Sequence, residues 1–184
     1  MKISKLARGF GFREKTVNLQ PFLNCTSMKK KNFRNFRRYA LVTGAASGMG
    51  RIYSQRLALM GYNIVAVDIN AAGLEETERI VRDEVAAAEY ISSDIKETFK
   101  VLPVVQDLST LDAADRIFEI TEAAGCEVEV LVNNAGVMYC QGIAETSERM
   151  LRLIMMVHMN TPLMLCRKYV GPMKERKCGY ILTI

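Results

Sequence analysis

From Tyr39 onward the chain alternates two hydrophobic patterns. Short runs, apolar throughout and rich in β-branched residues, are separated by longer stretches with an apolar residue every three to four positions. The first pattern predicts strands buried on both faces, and the second predicts amphipathic helices. Strands are expected at 39–43, 63–69, 101–106, 128–132 and 179–184. Helix one is expected from about Gly48 to Met60, with Met49, Ile52, Leu57 and Met60 on its apolar face and Gly61 ending it. Helix two starts near Ala71 and fades near Tyr90. Its inner face is Leu74, Thr77, Val81, Val85 and Ala88, and its solvated face carries Glu75, Glu76, Glu78, Arg79, Arg82 and Asp83. Residues 92–98 are polar and read as a loop, and Pro103 places the third strand near a sheet edge.

Ser109, with Asp112 three residues later, reads as a reciprocal cap for helix three. The apolar face of that helix is Leu111, Ala114, Ile117, Phe118 and Thr121, and Gly125 stops it. A long helix is expected from about Thr146 to Val170, disrupted by Gly171-Pro172. Its methionines, at 150, 155, 156, 159 and 164, read either as core or as an adaptable partner surface. Strands alternating with helices predict the α/β class. The sheet is parallel, doubly wound and covered on both faces, with ligands at the carboxyl ends of its strands.

Half of the residues are hydrophobic, which supplies a core for one domain of ordinary size. The net charge of +5 is unevenly distributed. Residues 1–38 hold eleven Lys and Arg against one acid, Glu14, while the remainder holds fourteen against nineteen acids. The globular part, 39–184, is thus mildly acidic, and a nucleic-acid surface is not expected on it. Residues 1–38 read as a flexible basic leader, with an organelle-targeting peptide or a basic arm for nucleic acid or anionic lipid as alternatives. Five cysteines without a Cys-x-x-Cys pair point to reduced thiols and a cytoplasmic setting. With His158 the only histidine, a Cys/His metal site is not expected. No apolar run is long enough to span a bilayer, so no membrane segment is expected.

The chemistry concentrates where the first strand meets the first helix. Gly44, Ser47, Gly48, Met49 and Gly50 form a glycine turn between the two. Glycines let backbone approach a pyrophosphate, and the free N–H groups at the helix start favour its charge. Asp68, followed by Ile69, ends the second strand 18 residues after Gly50. A carboxylate there accepts ribose hydroxyls and repels a 2′-phosphate, so NAD is expected in preference to NADP. Asp107 and Leu108 follow the third strand, where they can hold an adenine edge and ring; Asp107 can instead initiate the next helix.

Thr43-Gly44-Ala45-Ala46-Ser47-Gly48-Met49-Gly50 and Asn133-Asn134-Ala135-Gly136 together resemble the Thr-Gly-x-x-x-Gly-x-Gly and Asn-Asn-Ala-Gly motifs of short-chain dehydrogenases/reductases. The resemblance covers about residues 39–184. It implies a Rossmann-type NAD(P)-binding sheet, with Asn134, Ala135 and Gly136 lining the cofactor cleft and Asn133 bracing the central strands. It also implies a small-molecule alcohol or carbonyl substrate and, for a complete member, a homo-oligomer.

The family's proton-transfer groups are a Tyr-x-x-x-Lys pair and a serine. Four residues after Tyr39, Tyr53, Tyr62, Tyr90, Tyr139, Tyr169 and Tyr180 come Thr43, Leu57, Ala66, Asp94, Ile143, Met173 and Ile184. None is lysine, and the serine is expected just beyond Ile184. No catalytic residue is therefore assigned. The chain reads as the cofactor-binding part of an NAD-dependent oxidoreductase, a fragment whose fold is incomplete at its C-terminal end and inactive alone. A non-catalytic NAD-binding or sensing protein is the alternative. Aligned without gaps from Pro162 to Met173, the family's relay asparagine falls on His158, with Asn160 about 200° away around the helix. His158 reads equally as a packed helical histidine and receives no role.

Overall fold

The computed structural model describes residues 38–184, so the basic leader lies outside the described residues except for Arg38. Five strands form one parallel sheet in the order β3-β2-β1-β4-β5. They are β1 (Arg38–Thr43), β2 (Asn63–Asp68), β3 (Val101–Val105), β4 (Glu127–Asn133) and β5 (Tyr180–Thr183). Pro103, which lacks an N–H for a further partner, stands on the edge strand β3 opposite Ala66. The connections run through α1 (Gly48–Leu59), α2 (Ala71–Ala87), α3 (Ser93–Thr98), α4 (Ala113–Ala123), α5 (Glu148–Met155) and α6 (Thr161–Glu175). Strand order reverses at β1, where the chain leaves toward β2 on one side and returns as β4 on the other. That reversal opens a crevice above the carboxyl ends of β1 and β4.

Alternation along the strands divides the core in two. Leu41, Val65, Val67, Val104 and Leu131 meet Ile117 of α4 and Leu165, Tyr169 and Met173 of α6. Ala40, Val42, Ile64, Ala66, Val130 and Val132 meet Ala58 of α1 and Leu74, Val81 and Val85 of α2. Among the described residues no helix is long and apolar enough to cross a membrane.

Several helical expectations are corrected. On α1 the buried positions are Gly50, Ser54 and Ala58, not the large residues. Met49 and Ile52 are more than half exposed, whereas Leu57, as expected, packs partly buried against the core beside the small buried residues. Residues 93–98 form the short helix α3 where a loop was expected. Ser109 does not cap α4, which begins three residues after Thr110 with Asp112 at its N-cap, and Leu111 is 81% exposed. The long helix is interrupted by a π-helical turn at Met156–Asn160 and continues past Gly171-Pro172 to Glu175. Burial of Tyr169 and Met173 carries α6 through the proline. Of its methionines, Met164 packs on the core, whereas Met155 and Met159 are half exposed.

At the opposite end of the sheet from the crevice, Arg38 grips buried Glu129 with Nε and Nη2. The Tyr62 hydroxyl donates to Glu129 Oε1 at 3.1 Å, and the Arg38 guanidinium lies 5.2 Å from the Tyr62 ring centre. Burial pushes the Glu129 carboxyl up, but hydrogen bonds from Arg38, Cys178 and Tyr62 and the Arg38 charge hold it below its ordinary value. The stabilisation is therefore present above the unfolded carboxylate pKa of about 4.3 and is lost as pH falls through the lower folded value. Glu129→Gln is expected to cost about 2–3 kcal/mol at neutral pH in urea denaturation, less than a fully buried pair because the Arg38 side chain is 31% exposed. The cost should shrink as the pH is taken below about 4. A cost that is the same at both pH values contradicts this assignment.

Candidate functional site

A cleft of about 1010 Å³ opens over the strand ends. Its wall contains eleven of the twelve residues expected from the sequence: Gly44, Ser47, Gly48, Met49, Asp68, Ile69, Asp107, Leu108, Asn134, Ala135 and Gly136. The twelfth, Gly50, is buried beneath the turn.

The three glycines of the turn have different reasons to be glycine. Gly44 has φ +69°, and a β-carbon there would lie 2.9 Å from Ala135 Cα. At Gly50 a β-carbon would run into the Gly44 carbonyl. At Gly48 (φ +52°), among the described residues, nothing beyond its chain neighbours and its own helix lies within 4 Å of the β-carbon position, and the residue lines the cleft. The α1 helix starts there, and the N-cap Ser47 makes no side-chain capping bond. Its first residues thus border the cleft with helix-start N–H groups, the kind of position that favours an anion.

Asp68 is held in place by two backbone donors. Its Oδ2 accepts from Ala46 N and its Oδ1 from Asn70 N, each at 3.0 Å. Each oxygen keeps a further lone pair for a ligand hydroxyl. Asp107 uses Oδ1 to accept from Ser109 N at 2.8 Å, so it shapes the turn after β3 as well as lining the cleft. Leu108 is mostly buried, and its carbonyl accepts from Thr161 Oγ1 at 2.8 Å.

On the β4 side, Thr43 Oγ1 accepts from Asn134 N at 3.0 Å and Ala135 N at 3.1 Å. Asn134 Nδ2 donates back to Thr43 O at 3.0 Å. These bonds lock the ends of β1 and β4 together and direct the Asn134 amide at backbone. Asn133 donates to Cys166 Sγ and Thr183 Oγ1, each at 3.5 Å, which ties β4 to α6 and β5. Its Oδ1 is buried and has no hydrogen-bond partner among the described residues.

Sequence reasoning missed Val137, Met138, Arg149, Arg152, Leu153 and Met156, which line the same cleft from the loop after β4 and from α5 and the π turn. No local motif marks them, because tertiary packing alone brings this wall over the sheet. His158 projects from the π turn, and its Nε2 lies 3.0 Å from Val137 N and 2.9 Å from Val137 O. Its tautomer decides which of the two it bonds. His158 is exposed and lines the cleft, held by the loop backbone and not packed in the core.

Tyr39, Tyr62 and Tyr169 do not line the cleft, and burial pushes all three phenols up, Tyr39 to about 12. That is the opposite of the lowering that a proton-transferring tyrosine needs at neutral pH. Among the described residues no cluster of three His, Cys, Asp or Glu is placed to hold a metal ion.

The family model for short chain dehydrogenases matches residues 38–184. A diacetyl reductase of Staphylococcus epidermidis is 37% identical over 109 residues, 59% of this chain and 37% of that protein. The human inactive hydroxysteroid dehydrogenase-like protein 1 is 31% identical over 154 residues, 82% of this chain and 42% of that one. A metagenomic short-chain oxidoreductase solved in complex with NADP superposes with a TM-score of 0.68 at 27% identity, over 79% of this chain and 61% of that one. The chain spans less than half the length of these two curated relatives.

The glycine geometry yields a graded prediction. Gly50→Ala is expected to destabilise the fold by about 3 kcal/mol or more, since backbone must move. Gly48→Ala should cost about 1–2 kcal/mol, the strain of a left-handed alanine in open space. Equal losses in thermal or chemical denaturation would show that the two positions are not distinguished as described.

Proposed function

The chain belongs to the short-chain dehydrogenase family, and on that premise we propose that its cleft binds NAD(H) as the cofactor of an oxidoreductase acting on a small alcohol/carbonyl pair. The observation that carries this reading is the Asp68 carboxylate, pinned by Ala46 N and Asn70 N beside the glycine turn. The NADP in the metagenomic neighbour's complex supports a nicotinamide dinucleotide as the ligand class. Asp68 favours the form without a 2′-phosphate.

In this reading Gly48 and Met49 offer backbone N–H groups to the diphosphate, and Gly50 seats the helix start beneath them. Asp68 accepts the adenosine ribose hydroxyls, and Asp107, Leu108 and Ile69 border the adenine. Asn134 to Gly136 form the floor under the other half of the dinucleotide. When bound, the dinucleotide supplies the hydride acceptor or donor. What these residues contribute is orientation and neutralisation of charge.

None of the seven tyrosines has lysine four residues on. For these 184 residues taken alone, the proposal is therefore binding without turnover. A second reading, a dinucleotide-binding protein without catalysis, draws support from the 31% identical relative whose name describes it as inactive.

At about 4 Å, like charges repel by roughly 1 kcal/mol in water and 4 kcal/mol in a partly desolvated site. NADH is therefore expected to bind the purified chain at least about tenfold more tightly than NADPH, measured by quenching or enhancement of nicotinamide fluorescence. Asp68→Asn should narrow that ratio. Equal affinity of the unsubstituted chain for the two dinucleotides contradicts the assignment to NAD. NAD-dependent oxidation of simple alcohols by the same preparation contradicts binding without turnover.

A further inference from the structure

The two alanines between Gly44 and Ser47 have no free backbone polar group. Ala45 N donates to Val67 O at 3.1 Å, and Ala45 O accepts from Thr77 Oγ1 at 2.9 Å. Ala46 N donates to Asp68 Oδ2 at 3.0 Å, and Ala46 O accepts from Arg51 Nη2 at 2.5 Å. Both alanines are buried, and so is Thr77. The grips come from three elements, namely the end of β2, the first turn of α1 and the first turns of α2.

Arg51 and Thr77 act as one unit. Arg51 Nε donates to Thr77 Oγ1 at 2.9 Å, and the hydroxyl passes its single proton to Ala45 O or Gly73 O, each 2.9 Å away. A charged donor feeding a hydroxyl strengthens the bond that the hydroxyl makes onward. Gly73 completes the fit, because a β-carbon there would come within 2.7 Å of the Ala46 β-carbon. The first turns of α2 therefore press directly on the glycine turn.

We propose that Arg51 and Thr77 are positioning residues for a diphosphate. They fix the Ala45–Ala46 segment so that Gly48 and Met49, at the start of α1, keep their place in the cleft wall. The Arg51 guanidinium also places positive charge at the base of the turn, where it adds to the helix N-terminus as an attraction for an anion. This rests on the dinucleotide reading given above.

The test uses the full chain and the ligands NADH, ADP and adenosine, titrated directly or by displacement of NADH. Arg51→Met keeps the length of the side chain and removes the charge and donors. Arg51→Lys keeps the charge and loses the fork, and Thr77→Val keeps the shape and loses the hydroxyl. Arg51→Met is expected to weaken NADH and ADP about ten- to hundredfold while moving adenosine less than about threefold. Arg51→Lys should recover part of that loss. Thr77→Val should weaken the same two ligands by a smaller factor, and the double variant should lose less than the product of the single losses.

Equal weakening of ADP and adenosine in Arg51→Lys and Thr77→Val would show general destabilisation and overturn the assignment. Unchanged ADP affinity in Arg51→Met overturns it as well. If the unsubstituted chain binds neither NADH nor ADP, the dinucleotide reading itself falls. The two failures are thereby distinguished.

Discussion

At Gly50 the backbone of α1 meets the carbonyl of Gly44 with no room for a β-carbon between them. This close approach lets the chain turn from the end of β1 straight into a helix. It sets where α1 starts and which of its N–H groups face the cleft. Small residues continue the contact at Ser54 and Ala58, so the helix lies near the sheet along its length. The position of the strand-end cleft follows from this packing together with the reversal of strand order at β1.

Side chains then hold the turn. Asp68 reaches it from β2, Arg51 from α1 and Thr77 from α2. Asp68 braces Ala46 through one oxygen and accepts from Asn70 N through the other, and in the reading proposed above its remaining lone pairs serve a ribose. A cleft assembled this way is formed before any ligand arrives, and little of the binding energy goes into ordering backbone. On the other side, Thr43 and Asn134 bolt the end of β1 to that of β4 and fix the floor.

Much of this was legible in the sequence because the strands are mostly apolar and β-branched, so the expected 39–43, 63–69 and 128–132 fall within a residue of the observed strands. Asp68 was legible because its distance from the glycine turn is set by one helix and one strand. The buried face of α1 was not, because hydrophobic periodicity follows Met49 and Ile52 while the contact is made by Gly50, Ser54 and Ala58. The π turn at 156–160 left no mark in the pattern, although it decides that His158 meets Val137. Arg51 and Thr77 lie 26 positions apart, and each alone reads as an ordinary helical residue. Only the folded chain shows that they share one hydrogen-bond unit.

Hydrogen exchange on the 184-residue chain, with and without saturating NADH, tests the central claim most directly. The account predicts added protection of amides at 47–50, with smaller gains at 68–69, 107–109 and 134–137, the segments that border the cleft or lie directly beneath its glycine turn. Unchanged exchange at 47–50 while NADH is demonstrably bound would contradict it.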